Sequence, residues 1–215
     1  MLEIVKQNEW YHVGTMDINK KRVSSYEGDC LSVSQHPESW RRVAYLEGDT
    51  FRLYKEDGQF LNGYALTDEQ MNEILTWGVK VGYLNYIPKK RFFLLFEKDE
   101  GEEFFSRFDF RKEWEEAIGW DAMNAEDQAL LELAFMYDDS RFVATDALKK
   151  SEGWNMEDCP SDVIDMLILM RYADEILDID GVYWEDALNE KDFSVPWASI
   201  NTRRLGEWSI EKMSG

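Results

Sequence analysis

Only two imidazoles are available to this 215-residue chain, His12 and His36. His36 precedes Pro37 at a loop-to-helix junction and reads as a surface or capping residue. His12 lies inside the aromatic run Trp10-Tyr11-His12 and just ahead of Val13-Gly14-Thr15, so it is the imidazole whose setting admits chemistry. Cys30 and Cys159 form no CxxC pair, which excludes a zinc site built on paired cysteines, and both read as buried free thiols. The chain has no HExxH, no GxSxG, no Walker A loop and no GxGxxG. Zincin, α/β-hydrolase, P-loop and Rossmann chemistries are therefore not expected, and neither is a metal centre. Asp178-Ile179-Asp180-Gly181 begins like a calcium loop, but Val182, Tyr183 and Trp184 follow where oxygen ligands are needed. With 44 Asp and Glu residues, carboxylate pairs occur everywhere and single out no site.

The elements that must position these residues follow from periodicity. Trp10 to Gly14 reads as a strand, and Cys30 to Ser34 alternates with period two, Leu31 and Val33 facing one way and Ser32 and Ser34 the other. Pro37 opens a helix carrying Trp40, Val43 and Ala44. Thr50 to Tyr54 and Gln59 to Leu61 are strands around a turn at Gly58. Thr67 caps a helix bearing Met71, Ile74, Leu75 and Trp77. Arg91 to Phe96 reads as a buried strand, with a partner over 102–110. Helices are expected over 112–120, 125–137, 142–150 and from Pro160 to about Leu177. Val182 to Trp184 and Val195 to Ile200 read as late strands. The expected architecture is α+β: one domain over 1–215, with a mixed or antiparallel sheet built from both ends of the chain. The segment 112–177 is expected to be a mainly helical insertion or cover.

Three of these pieces, taken in order, resemble the ADP-ribosyltransferase fold. Tyr11-His12-Val13-Gly14-Thr15 is similar to a His-Gly-Thr type of first strand. Leu31-Ser32-Val33-Ser34, with the helix of Trp40 and Ala44 behind it, is similar to the family's Ser- or Thr-rich second strand, and Thr50 to Tyr54 with the turn to Phe60-Leu61 fits its layout. Asp180-Gly181-Val182-Tyr183-Trp184, Val195 to Ile200, and Arg203-Arg204-Leu205 with Trp208 resemble its final strands. The resemblance covers about 90 residues, chiefly the two ends of the chain, and implies NAD as cofactor. Cleavage of the nicotinamide–ribose bond develops positive charge on the ribose, so such a site holds the ribose and the amide and places a carboxylate nearby. On this resemblance His12 grips the dinucleotide with Thr15 beside it, and Ser32 or Ser34 matches the second-strand residue. Tyr45 or Tyr54 stacks on nicotinamide. Arg52, with Arg41, Arg42, Arg203 and Arg204, supplies positive charge to the cleft. Where the family places a Glu at the start of a late strand, this chain reads Asp192-Phe193-Ser194-Val195-Pro196-Trp197. Glu185, Asp186, Glu190 and Asp192 are nearby, and Asp186 is the one assigned to that role. A toxin, a modifying enzyme or a degenerate relative is implied.

Composition bounds the partners. The chain is 14% aromatic and 44% hydrophobic, which fits a folded protein with a substantial core. Its net charge is −20, and residues 145–215 alone carry 7 basic against 16 acidic groups. Such a chain is not expected to bind a nucleic-acid backbone directly. The second reading is an acidic inhibitor, a DNA mimic or anti-defence protein whose partner is a basic or DNA-binding host protein and which performs no catalysis. Its candidate stretches are Glu97 to Glu116 and Glu152 to Asp186. The nine tryptophans also admit a plain interaction module. No membrane span is expected, because the densest apolar run, Met166 to Met170, is far too short. The N-terminus lacks a signal peptide's apolar stretch, and the cytoplasm is the expected compartment.

Overall fold

A computed structural model describes residues 1–16, 28–86, 142–155, 159, 161–187 and 194–213. The strands expected at Arg91 to Phe96 and 102–110, and the helices over 112–120 and 125–137, lie outside the described residues. The described chain is α+β, with strands from both ends of the sequence in one sheet and helices between them.

Ten strands are present among the described residues: β1 Ile4–Lys6, β2 Glu9–Gly14, β3 Cys30–Ser34, β4 Asp49–Tyr54, β5 Gln59–Asn62, β6 Leu84–Tyr86, β7 Phe142–Ala144, β8 Gly181–Ala187, β9 Ser194–Asn201 and β10 Ser209–Lys212. Eight of them form one mixed sheet in the order β1-β5-β8-β9-β3-β2-β4-β10. Every pairing is antiparallel except β5 with β8. Strands β6 and β7 form a separate two-stranded ladder.

The large sheet curls. Strands β4 and β5 stand near its opposite ends, yet a short turn joins them, and both sides of that turn bond the link between β1 and β2: Lys55 N–H donates to the Asn8 carbonyl at 2.9 Å, and Gln7 N–H donates to the Gly58 carbonyl at 3.0 Å. Trp10 of β2 meets Phe60 of β5 edge-on at 5.3 Å between ring centroids. All eight strands send apolar side chains into this inner core: Val5, Trp10, Leu31 and Val33, Leu53, Phe60, Tyr183, Ala198 and Ile200, and Ile210. A 3-10 turn, Thr202–Glu207, and the residue after it add Leu205 and Trp208 to the same core. Period-two alternation explains the arrangement: Leu31 and Val33 go inward while Ser32 and Ser34 go outward.

The outer face of β5, β8, β9 and β3 is covered by helices α1 Pro37–Val43, α2 Asp68–Lys80, α3 Asp146–Ser151 and α4 Ser161–Glu175. Helix α2 starts at a full capping box, the Thr67 side chain accepting from Gln70 N–H and the Gln70 side chain accepting from Thr67 N–H. Helix α4 buries Val163, Ile164, Leu167, Ile168, Leu169, Met170 and Ala173, more than one stripe, because it lies among the sheet, α2 and β7. Each of its large side chains contributes about 1.5–3 kcal/mol of burial. No described helix is long and apolar enough to cross a membrane.

The segment 142–150 differs from the helix expected there. Phe142–Ala144 is a strand paired with β6, and the helix begins only after Thr145, whose hydroxyl oxygen accepts from Leu148 N–H as an N-cap. The Phe-Val-Ala run meets a partner strand, and the cap sets where the helix starts.

Asp180 ties the two cores. Its buried carboxylate accepts from Lys55 Nζ at 2.8 Å, from Gln59 N–H at 2.9 Å and from Trp208 Nε1 at 3.1 Å. In Asp178-Ile179-Asp180-Gly181 the Asp180 carboxylate is thus engaged by groups of the chain itself. Gly181 follows because β9 passes so closely that a Cβ there would stand 1.8 Å from the Ser199 carbonyl oxygen.

Candidate functional site

Strands β2, β3 and β8 carry four of the sequence-predicted site residues, His12, Ser32, Ser34 and Asp186, and together with β9 they are consecutive neighbours in the sheet. Strand β2 pairs with β4 over six residues, Glu9 to Gly14 against Tyr54 to Asp49, but with β3 through a single registered pair, Tyr11 with Ser34. Next to that short ladder, His12 spans the two strands with its side chain: Nδ1 lies 2.9 Å from the Ser32 carbonyl oxygen. A carbonyl only accepts, so Nδ1 carries a proton and donates it to this bond. His12 is buried, and its ring lies 6.4 Å from that of Phe51. Gly14 lies against the far edge of the ring. Its φ is +142°, and a Cβ there would stand 3.1 Å from His12 Nε2.

The structure sorts the predicted residues into separate groups. Tyr11 and Ser34 are register partners and face the same side of the sheet, so His12, next along β2, faces the other. His12 therefore meets Ser32 through the backbone carbonyl, while the side chains of Ser32 and Ser34 lie on the opposite side. The fully buried Ser34 hydroxyl donates to the Pro196 carbonyl at 2.7 Å and accepts from His36 N–H at 3.1 Å. Above it, Trp40, Trp197 and Trp184 stack with centroids 5.5 and 5.7 Å apart. Trp197, in register with Ser34, holds the late-strand place where a carboxylate was expected. Asp186 is in register with Val195 on β9, and its side chain lies outside the described residues.

Arg52 and Tyr54 form a second group, on the open face of β4. Arg52 Nε donates to Glu9 Oε2 at 2.8 Å, and its guanidinium lies 5.9 Å from the Tyr54 ring centroid. Tyr11 Oη also donates to Glu9, at 2.6 Å. That hydrogen bond, then the one from Arg52, holds the Glu9 carboxyl below its usual range, and the same Tyr11–Glu9 bond pushes the Tyr11 phenol up. The charge of Arg52 is thus balanced by a residue that sequence reading passed over. The available signal was alternation: Glu9 and Tyr11 share one face of β2, beside Arg52 and Tyr54 on β4.

Thr15 is exposed just past Gly14, and Tyr45 is 92% exposed after α1 with φ +51°. Helix α1 is fastened near the Gly14 end of β2. Arg41 donates to the Gly48 carbonyl and to Thr50 Oγ1, both at 3.0 Å, and Thr50 is in register with Val13.

A third cluster takes up Arg203 and Arg204, which were expected to lend charge to the cleft, and adds the buried Glu152 and Arg171, which the sequence reading did not single out. The buried carboxylate of Glu152 lies 3.3 Å from Arg171 and 3.8 Å from Arg203, and it accepts from Asp29 N–H at 3.2 Å. Burial pushes its carboxyl up to about 7, against the opposite pull of Arg171. Asp174 pairs with Arg203 and Arg204, Asp178 with Arg204, and Glu175 with Arg171. These carboxylates of the Glu152 to Asp186 stretch are each paired with an arginine of the same chain, Glu152 in the interior and Asp178 at the surface. Among the described residues no group of three or more His, Cys, Asp or Glu side chains is arranged to hold a metal ion.

No protein-family model matches the chain, and no curated protein and no solved structure matches it.

Proposed function

We propose that this chain is an ADP-ribosyltransferase-like protein that takes NAD where β2 and β3 share their short ladder, acting as a toxin or modifying enzyme or persisting as a degenerate relative. One observation carries the reading. The pieces that resemble the family lie at opposite ends of the sequence, yet β2, β3, β9 and β8 are consecutive in the sheet, and Ser34 bonds Pro196 across 162 residues of chain. The donor set fits a dinucleotide in part. His12 is held by Ser32 at the β2–β3 junction, Thr15 beyond it is exposed, and Tyr45 presents an exposed ring. Ser34 and Arg52 fit less well, since the first is fully buried with its hydroxyl bonded twice and the second is neutralised by Glu9. NAD, when bound, supplies a nicotinamide–ribose bond whose cleavage leaves positive charge on the ribose. This reading assigns the balancing carboxylate to Asp186, beside the start of β9.

Calorimetric titration of NAD into the purified chain tests the reading, with His12→Ala and His12→Gln in parallel and nicotinamide release as the follow-up. The expected result is binding that both variants weaken by about tenfold or more, the loss of one charge-assisted or well-placed polar contact. Absence of heat at millimolar NAD, with the protein folded by circular dichroism, sinks it.

A further inference from the structure

Two lysine–carboxylate pairs stand in opposite settings. Lys212 Nζ lies 2.6 Å from Asp49 Oδ2, and both side chains are more than half exposed, so water reaches each group. Lys55 Nζ lies 2.8 Å from Asp180 Oδ1, with side chains only 17% and 2% exposed. The same Nζ lies 2.7 Å from Glu207 Oε2, a carboxylate that opens to solvent. Both Asp180 oxygens carry further donors: Gln59 N–H reaches Oδ2 at 2.9 Å, and Trp208 Nε1 reaches Oδ1 at 3.1 Å. The buried Trp208 indole walls this spot, its ring 6.0 Å from that of Phe60, and a Cβ on Gly58 would stand 2.8 Å from it. An amine, a carboxyl polarised by two donors and a second carboxylate on the amine thus meet where water is largely excluded.

We propose that Lys55 and Asp180 condense into an intramolecular amide, an isopeptide cross-link, with Glu207 carrying the proton. An amine held in hydrogen-bond contact with a carboxyl oxygen is within reach of the carboxyl carbon, and such fixed geometry replaces a high concentration of reactant. Burial works against the Lys55 ammonium, but its hydrogen bonds to Asp180 and Glu207 outweigh burial and hold it above its ordinary value. The reaction therefore starts with the Lys55 proton crossing to Asp180, which turns an ion pair into a neutral amine and a neutral acid without separating charge. Nζ then attacks Cγ, and Gln59 N–H stabilises the oxygen that takes up negative charge. Glu207 accepts a proton from the attacking nitrogen and returns it to the departing hydroxyl. One N–C bond forms, one C–O bond breaks, and one water leaves; nothing is oxidised or reduced. The product ties the β4–β5 turn to the residue ahead of β8 across 125 positions of sequence, a cross-link that restrains the unfolded chain as a disulfide does. The Lys212–Asp49 pair lacks the burial and the carboxyl donors and does not condense.

The experiment is intact-mass spectrometry of the denatured full chain, fresh and after prolonged warm incubation. Lys55→Arg and Glu207→Gln are run in parallel, with thermal melts to verify that they fold. The wild type is expected to accumulate a species lighter by one water. Tryptic mapping of that species is expected to show no cleavage after Lys55 and a branched peptide joining it to Asp180. Lys55→Arg keeps the charge and is expected to form none of it, and Glu207→Gln to form it about a hundredfold more slowly, the scale of one general base. A wild type that keeps its full mass after incubation overturns the proposal and leaves an ordinary ion pair. So does a water loss that persists in Lys55→Arg or maps to an imide within Asp180-Gly181, where the Gly181 nitrogen attacks the same carboxyl. Conversion of Glu207→Gln at the wild-type rate overturns the role given to Glu207.

Discussion

Glu152 shows how burial and pairing compete at one carboxyl. Two guanidiniums and a backbone N–H favour its ionised form, while its removal from water favours the neutral one and prevails, moving its midpoint to about 7. The folded chain then holds a proton that the unfolded chain releases near the ordinary carboxylate value of 4.5. The stabilisation from Glu152 is therefore fully present below about pH 4.5 and is lost as pH rises through 7. Glu152→Gln keeps a neutral side chain of the same shape at every pH. Urea unfolding of both proteins from pH 4.5 to 8 is expected to show the variant gaining on the wild type by roughly 3 kcal/mol across that window, at about 1.4 kcal/mol per pH unit. A difference that stays flat with pH would mean that Arg171 and Arg203 keep the carboxylate ionised throughout. Nothing in the local sequence Ser151-Glu152-Gly153-Trp154 announces this residue. Its partners come from 29, 171 and 203, and only the fold brings them together.

At the scale of elements, legibility tracked how local the deciding interaction was. Strand β3 was expected over Cys30 to Ser34 and is found there, because its period-two pattern divides two cores, and α2 begins where its capping box lies in four consecutive residues. Strands β1, β6 and β10 are three or four residues long and carry too little pattern to read; each exists because a partner strand lies alongside. The same applies to Phe142–Ala144, read as helix until β6 is known. The candidate site was legible as residue types but not as a grouping. Alternation along β2 and β3 places His12 opposite the Ser32 and Ser34 hydroxyls, a relation fixed only by the Tyr11–Ser34 register. The β6–β7 ladder also carries a prediction. Tyr86 and Phe142 are in register, so positions 86 and 142 stand side by side on adjacent strands. Replacing 87–141 with a two-residue Asn-Gly turn closes that ladder as a hairpin. The shortened chain is expected to unfold cooperatively, with Trp77 and Tyr172 still packed at the α2–α4 contact. Loss of a cooperative transition by near-ultraviolet dichroism would show that these residues are required by the core.

Over the whole molecule the question is what the −20 charge does. Ion pairs consume the acidic groups that the fold brings to Arg171, Arg203, Arg204 and Lys55, and these hold α4, the 3-10 turn and β8 together. Other carboxylates, including Glu38, Glu47, Glu56, Asp57, Glu69 and Glu73, are exposed on turns and helices of the described surface. Repulsion among exposed like charges acts over about 10 Å at 0.1 M salt and is screened beyond that, whereas close, partly buried pairs are screened much less. Added salt should relieve the repulsion while leaving the ion pairs mostly intact. Raising sodium chloride from about 10 mM to about 200 mM is therefore expected to raise Tm by about 2–4 °C, the shift that corresponds to ~1 kcal/mol in a chain of this size. The opposite sign, a Tm that falls with salt, would mean that the arginine–carboxylate network dominates the charge balance, and that it is exposed enough to be screened. The same titration bears on the two functional readings, since an acidic decoy must present its charge uncompensated to a basic partner. In the Glu152 to Asp186 stretch, Glu152, Asp174, Glu175, Asp178 and Asp180 each already face Lys or Arg of this chain, so a partner would have to displace internal ion pairs to reach them.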